Sequence, residues 1–169
     1  MINKIIIFIL SYFRTIYIFE SKKNDIFLTY KNFKLKKYDR LRSIKNKEMI
    51  NYINQSKKNK RFFNNHSLFA LYFNKNIVSV GWMHQGREWH ISEINKKISI
   101  KNKILLYDFF TFKKFRNRGF YSVILNLIKN MKTSKIFLIY CLKSNKASKK
   151  GILKSNFKII EKIQKNVSL

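Results

Sequence analysis

Residues 113–121, KKFRNRGFY, crowd basic side chains ahead of Gly119, in a chain with only 4 glycines and no proline. An apolar run, ILLYDFFTF (104–112), precedes this turn and a helical run, YSVILNLIKNM (121–131), follows it. A strand that turns tightly into a helix leaves backbone N–H groups pointing outward, and the helix dipole adds positive potential there. Such a place binds anions. Glycine lets a bulky anion approach the backbone, because no Cβ stands in the way. Arg116 and Arg118 add fork-shaped donors, and Lys113 and Lys114 enlarge the field. That chemistry suits a pyrophosphate better than a carboxylate. The plainer alternative is an ordinary strand-to-helix turn with a solvated basic rim.

Asp108 is the single acid in its apolar run. A partly desolvated carboxylate there has its pKa raised, which suits a general base. The competing expectation is an ion pair with one of the many lysines. His84, Glu88 and His90 flank the same strand in sequence and are further candidates, acting through water or serving only as surface residues. Cys141 lies inside an apolar run and reads as a core thiol.

A second block lies beyond the next apolar run. SNKASKKGILKSNF (144–157) opens on Asn145 and ends on Asn156-Phe157. Taken together, FRNRGFY and this block resemble the GCN5-related N-acetyltransferases, the GNAT family. Arg116 and Gly119 match the family's Arg/Gln-x-x-Gly-x-Gly/Ala turn. Tyr121 stands where the family usually has Gly or Ala. Asn145, Ser148 and Phe157 match the later block, and Asn156 replaces its glycine. Asparagine is the best substitute for glycine at a left-handed helix stop. The resemblance runs from about Leu68 to Ile160.

The resemblance implies a mixed, mostly antiparallel α+β fold, with a central pair of splayed parallel strands and flanking helices. It implies acetyl-CoA as co-substrate, without a metal. The pyrophosphate would sit on residues 116–121, that is Arg116, Asn117, Arg118, Gly119, Phe120 and Tyr121. The pantetheine would pair with the backbone of Phe110, Thr111 and Phe112, with an oxyanion donor near Thr111. Asn145 and Ser148 would hold the cofactor from the second splayed strand. Asp108, His84 and Glu88 would be the candidates for proton transfer. The family's usual tyrosine acid falls on Ile152 here, which leaves Tyr121 and Tyr140 as substitutes. The acceptor would be a small-molecule amine, by analogy with bacterial relatives an amino sugar of a surface polysaccharide precursor.

These residues need a scaffold. HSLFALYFNKNIVSVGWMH (66–84) reads as two strands around Asn74-Lys75-Asn76, a hairpin signal. KIFLIYCL (135–142) reads as a strand buried on both faces. With the helix of 121–131 between them, 104–112 and 135–142 form a crossover unit whose strands run parallel. A short helix and a last strand follow. KNKEMINYINQSKKNKRFF (45–63) has Met49, Ile50 and Ile53 at helical spacing, which predicts a short helix. QGREWHISEINKKISIKNK (85–103) reads as polar connection. The expectation is a single domain over 1–169, with a variable part at 1–65 and a cofactor-binding core at 66–160.

The totals fit a packed globule, with 46% hydrophobic and 16% aromatic residues. One cysteine excludes an internal disulfide and suits a reducing cytoplasm. The apolar stretch Ile5–Leu10 is too short to span a bilayer. It reads as part of the core, with weak membrane-surface contact as the alternative. The net charge of +29 points to nucleic acid or anionic lipid. That would make a non-catalytic basic binding protein. Yet Lys, Asn, Ile, Phe and Tyr have A/T-rich codons, and the lysines are spread along the chain rather than blocked. A base-biased genome gives this composition without a polyanion partner, so no specific nucleic acid is expected. Any DNA binding should then collapse between 50 and 200 mM salt, by roughly 10³-fold or more if six or more phosphates are contacted. Fluorescence anisotropy with two unrelated duplexes checks this, and sequence-selective binding at the higher salt would contradict it.

Overall fold

The structure, a computed structural model, describes residues 14–21, 31–64, 66–131 and 135–164. The stretch Ile5–Leu10 lies outside the described residues.

A seven-stranded sheet has the order β2-β3-β4-β7-β8-β1-β9. Its strands are β1 (Thr15–Ser21), β2 (Phe33–Tyr38), β3 (His66–Phe73), β4 (Asn76–His84), β7 (Lys103–Thr111), β8 (Ile136–Leu142) and β9 (Lys158–Gln164). A separate two-stranded ribbon, β5 (Glu88–Ile91) with β6 (Lys96–Ser99), is inserted between β4 and β7. The stretch read as polar connection therefore holds regular structure. Ile91, Ile94 and Ile100 are buried and pin the ribbon to the core. They are too widely spaced to signal a strand by alternation.

Every pairing in the large sheet is antiparallel except β7 with β8. Helix α2 (Phe120–Met131) makes the crossover between those two strands, as a parallel pair requires. The β3–β4 hairpin turns on Asn74 and Lys75, with φ of 47° and 67°. Two successive positive φ values match the strand twist.

The sheet is covered on both faces. On one side lie α1 (Lys47–Gln55) and the ribbon, burying Met49, Ile53, Trp82 and Leu105 in one cluster. On the other lie α2 and α3 (Lys146–Lys154), burying Ile124, Ile128, Phe137 and Ile152 in a second. Asn46 caps α1 by accepting from the Met49 N–H at 2.9 Å. Asn156 ends α3 with φ of 59°, the left-handed stop for which asparagine suits.

β1 is the element that local sequence does not place. It inserts between β8 and β9 and pairs antiparallel with both, Ile18 facing Tyr140 and Glu161. The first and last described strands thus pair in the sheet, and among the described residues β9 is one edge and β2 the other.

The sheet has a break at its centre. β7 and β8 pair only over Lys103–Leu106 and Ile136–Ile139, and β7 then runs on to Thr111 without β8. At the same level the β4–β7 register slips: Trp82 faces Tyr107, but Val80 faces Phe110. Asp108 and Phe109 therefore oppose Gly81 alone, which is a β-bulge. Asp108 takes φ of 50° there, a left-handed value that aspartate tolerates better than most residues. Gly81 is required beneath it, since a Cβ at that position would lie 2.1 Å from the Phe109 ring. Gly81→Ala should destabilise the protein by about 1–3 kcal/mol, the usual cost of overpacking a core. Urea denaturation measures it, and an unchanged midpoint would contradict the packing role.

Candidate functional site

The splay opens a continuous cleft of about 1330 Å³. It runs from the N-terminal ends of α2 and α3, past the bulge of β7, to the ribbon. Phe110, Thr111, Arg116, Asn117, Gly119, Phe120, Tyr121, Asn145 and Ser148 all line it. So do Arg61, His66, Trp89, Tyr107, Asp108 and Tyr140 at the opposite end.

The turn at the first end is built by backbone conformation. Asn117 and Gly119 have φ of 63° and 79°. The Gly119 carbonyl accepts from the N–H groups of Ser122 and Val123 at 3.0 and 3.2 Å, which starts α2. The N–H groups of Gly119, Phe120 and Tyr121 make no hydrogen bond among the described residues, as expected in a first helical turn. A Cβ on Gly119 would meet nothing within 4 Å. The protein itself therefore requires glycine for its φ, and the space beside it is open toward the cleft. Arg116 does more than add charge. Its Nε donates to the Thr111 carbonyl at 3.1 Å and its guanidinium lies 5.5 Å from the Phe110 ring centre, so it braces the end of β7.

Tyr121, in place of the family's small residue, is accommodated by another glycine. Its ring packs on Gly151 of α3, where a Cβ would lie 2.4 Å away, and on Phe109 with centroids 5.4 Å apart. The Tyr121 hydroxyl lies 3.3 Å from Ser148 Oγ. Burial pushes its pKa up. Asn145 caps α3, its side-chain oxygen accepting from the Ser148 N–H at 3.0 Å, which leaves its amide N–H₂ as the donor group. Ile152 is fully buried and offers no proton. Cys141 is a buried free thiol whose pKa burial raises.

The opposite end corrects one expectation about Asp108. Its Oδ2 accepts from Lys58 Nζ at 2.9 Å and Arg61 at 2.6 Å. Its side chain is a third exposed, at 34%. Burial pushes its pKa up, but the two cations outweigh this and hold it below the usual carboxylate value. The expected rise does not occur, because the 3₁₀ turn Asn59–Asn64 and the residue before it deliver two cations that strand periodicity cannot reveal. The bulge also brings Tyr107 and Asp108, neighbours in sequence, to the same guanidinium: Arg61 lies 5.1 Å from the Tyr107 ring centre. In a regular strand they would point to opposite faces.

Glu88 is exposed, lies 3.5 Å from Lys97, and does not line the cleft. His84 stands behind the cleft wall. Its ring stacks on His66, centroids 4.2 Å apart, and its Nδ1 is buried without a partner. His90 lines the ribbon side and hydrogen-bonds Asn95 at 2.9 Å. The sequence reading missed His66, Arg61 and Trp89. His66 Nδ1 shares a 2.8 Å hydrogen bond with the Tyr107 hydroxyl. Trp89 packs on Tyr107 and His66 and donates from Nε1 to Tyr140 at 3.3 Å. The one available signal was the position of His66 and His84 at the two open ends of a recognisable hairpin, where they face each other.

No family model matches the chain, and no curated protein matches it. Solved structures do share its fold. An acetyltransferase of the GNAT family from Colwellia psychrerythraea aligns over 87% of this chain at 11% identity, with a TM-score of 0.52. A GCN5-related N-acetyltransferase from Sphaerobacter thermophilus aligns over 96% at 6% identity, with a TM-score of 0.54. A functionally unknown conserved protein from Staphylococcus epidermidis aligns over 88% at 12% identity, with a TM-score of 0.56. The chain spans 59%, 53% and 54% of the length of the Staphylococcus, Colwellia and Sphaerobacter proteins. The fold is thus that of the GNAT acetyltransferases, as the two sequence blocks implied. No helix among the described residues is long and apolar enough to cross a membrane.

The imidazole pair makes a prediction about stability. Burial, then the neighbouring His84 and Arg61, lower the His66 pKa from 6.5 to about 4, and burial lowers that of His84. The unfolded chain therefore binds more protons than the folded one between those values, so stability falls as pH drops from about 6.5 to about 4. His66→Gln should have a shallower slope in that window, read from urea midpoints against pH. Parallel curves for the two proteins would contradict it.

Proposed function

We propose that this protein transfers an acetyl group from acetyl-CoA to the amine of a small-molecule acceptor. The observation that carries this reading is the conjunction at the splay. An open backbone edge on β7 leads straight to a glycine-bearing helix start, in one cleft with a polar aromatic pocket. The pieces fit the co-substrate. The N–H groups of residues 119–121, with Arg116 and Arg118, suit its pyrophosphate. The edge of β7 past Leu106 has backbone groups to pair with the pantetheine. The amide of Asn145 faces the same cleft from the end of β8.

The reaction this supports is direct transfer. The acceptor nitrogen's lone pair attacks the thioester carbonyl carbon. A C–N bond forms, the C–S bond breaks, and coenzyme A leaves as a thiolate. The amine gives up one proton and the thiolate takes one, so the products are an amide and free coenzyme A. A backbone N–H of β7 near Thr111 would stabilise the oxyanion. Tyr121 and Tyr140 both line the cleft as phenols held protonated by burial, and either suits protonation of the sulfur. Trp89, with Asp108, Ser92 and Glu93 around it, offers an aromatic wall with polar groups. That combination suits an amino sugar, such as a unit of a surface polysaccharide precursor.

Saturating acetyl-CoA should stabilise the protein, by about 2.7 kcal/mol at 100 times its dissociation constant. Gly119→Val should lower affinity by an order of magnitude or more, because valine at positive φ distorts the N–H cradle. It should cost some stability for the same reason, so Gly119→Asn, which tolerates that φ, is the matched control. Isothermal titration of the three proteins checks this. Equal acetyl-CoA affinity in wild type and a folded Gly119→Val protein would contradict it. Absence of any thermal shift would favour a binding protein for anionic surfaces.

A further inference from the structure

Resting on the transfer reaction above, we propose that His66, oriented by Tyr107, is the proton acceptor for the incoming amine. Three groups suggested by sequence are poorly placed for this. Asp108 is committed to Lys58 and Arg61 through Oδ2, and taking a proton there would give up both ion pairs. Glu88 lies outside the cleft on the exposed end of the ribbon. His84 is screened from the cleft by the ring of His66 stacked against it.

His66 meets the requirements that these fail. It lines the cleft, beside the bulge where the thioester edge of β7 begins. One of its ring nitrogens is fixed: Nδ1 lies 2.8 Å from the Tyr107 hydroxyl oxygen. With Nδ1–H donating to that oxygen, Nε2 carries the lone pair. The ring is held on its faces and edges by His84 at 4.2 Å, Trp89 at 5.9 Å and Tyr107 at 5.7 Å between centroids. Its surroundings also keep it neutral. His84 faces it from β4, Tyr107 from β7 and Arg61 from the turn before β3, while Trp89 of β5 adds apolar cover. Burial first, then the neighbouring His84 and the Arg61 cation, disfavour the imidazolium, so the lone pair is available above about pH 4. Such a base is weak toward a free ammonium ion. It is adequate toward the amine once attack has begun, when the nitrogen carries positive charge and its proton has become acidic. The proton passes from that nitrogen to Nε2 as the C–N bond forms, and from the imidazolium to solvent through the open cleft.

Tyr107 is a positioning residue in this account. Its hydroxyl holds the ring at Nδ1, and the proposal requires the tautomer in which that hydroxyl accepts the Nδ1 proton. The bulge matters here too: it begins one residue after Tyr107, the pairing of β7 with β8 stops one residue before it, and the cleft opens beside the ring.

Two measurements test this. Nitrogen-15 NMR of the wild-type imidazoles at pH 7 reads the tautomer without any substrate. The expected result is a neutral His66 protonated at Nδ1, and the Nε2–H tautomer would overturn the proposal. Steady-state kinetics with acetyl-CoA and a panel of amino sugars reads the chemistry. His66→Asn keeps a donor near the Nδ1 position and removes the acceptor nitrogen. Its kcat should fall by roughly 10²–10⁴, the usual worth of general base catalysis, with acetyl-CoA affinity unchanged and partial rescue by added imidazole. Tyr107→Phe should lose about tenfold in kcat and shift the acid limb of the pH profile. Unchanged kcat in a folded His66→Asn protein, with wild type active, would overturn the role of His66 alone. No transfer by wild type to any acceptor would overturn this and the transfer reading together, while retained acetyl-CoA binding would still separate the cofactor site from both.

Discussion

The site depends on a pairing that stops. Parallel strands β7 and β8 share a ladder for a few residues and then part at Leu106 and Ile139. Nothing in a sheet encourages this, since each unpaired backbone group loses a hydrogen bond. The bulge at Asp108 enforces it. One extra residue bends β7 and increases its local twist, and the Phe109 ring lies over Gly81 so that the bent strand still packs. Asp108 holds a left-handed φ and is fastened there by Lys58 and Arg61. Its ion pairs therefore act on the shape of the cleft.

The two ends of the cleft are held by different means. At the helix end, backbone conformation does the work: Gly119 and Asn117 in the left-handed region, Arg116 tied to Thr111, and Asn145 capping α3. At the other end, side-chain stacking does it, with imidazole, indole and phenol rings packed around Arg61. A backbone-built anion site tolerates sequence change as long as the turn survives. A side-chain-built pocket changes with each substitution. This division fits a constant co-substrate at one end and a particular acceptor at the other.

The legible parts of the fold were those fixed locally. The apolar run of β8, the amphipathic α2 and the glycine turn lie together in sequence, and they specify a parallel crossover without further information. Asn156 read as a left-handed stop and is one, at φ 59°. The helix of α1 followed from Met49 and Ile53. What local pattern could not show was pairing at long range. β1 enters the sheet beside strands more than 110 residues later, with Ile16 facing Leu142, and nothing in its sequence selects those partners over others. The bulge was hidden because Asp108 looks the same in a regular strand. His66 was hidden because its surroundings are made by Tyr107, His84 and Arg61, which come from separate elements. The ribbon was hidden because its buried isoleucines, Ile91, Ile94 and Ile100, stand singly between polar residues.

The central claim is that coenzyme A occupies the splay. Amide chemical-shift mapping by ¹H–¹⁵N NMR, with acetyl-CoA titrated into the protein, reads this residue by residue. The account predicts that the largest shifts fall on the amides of residues 107–112 and 116–121, and on Asn145 with its side-chain N–H₂. Shifts scattered over the exposed lysines, or no shifts at saturating acetyl-CoA, would contradict it.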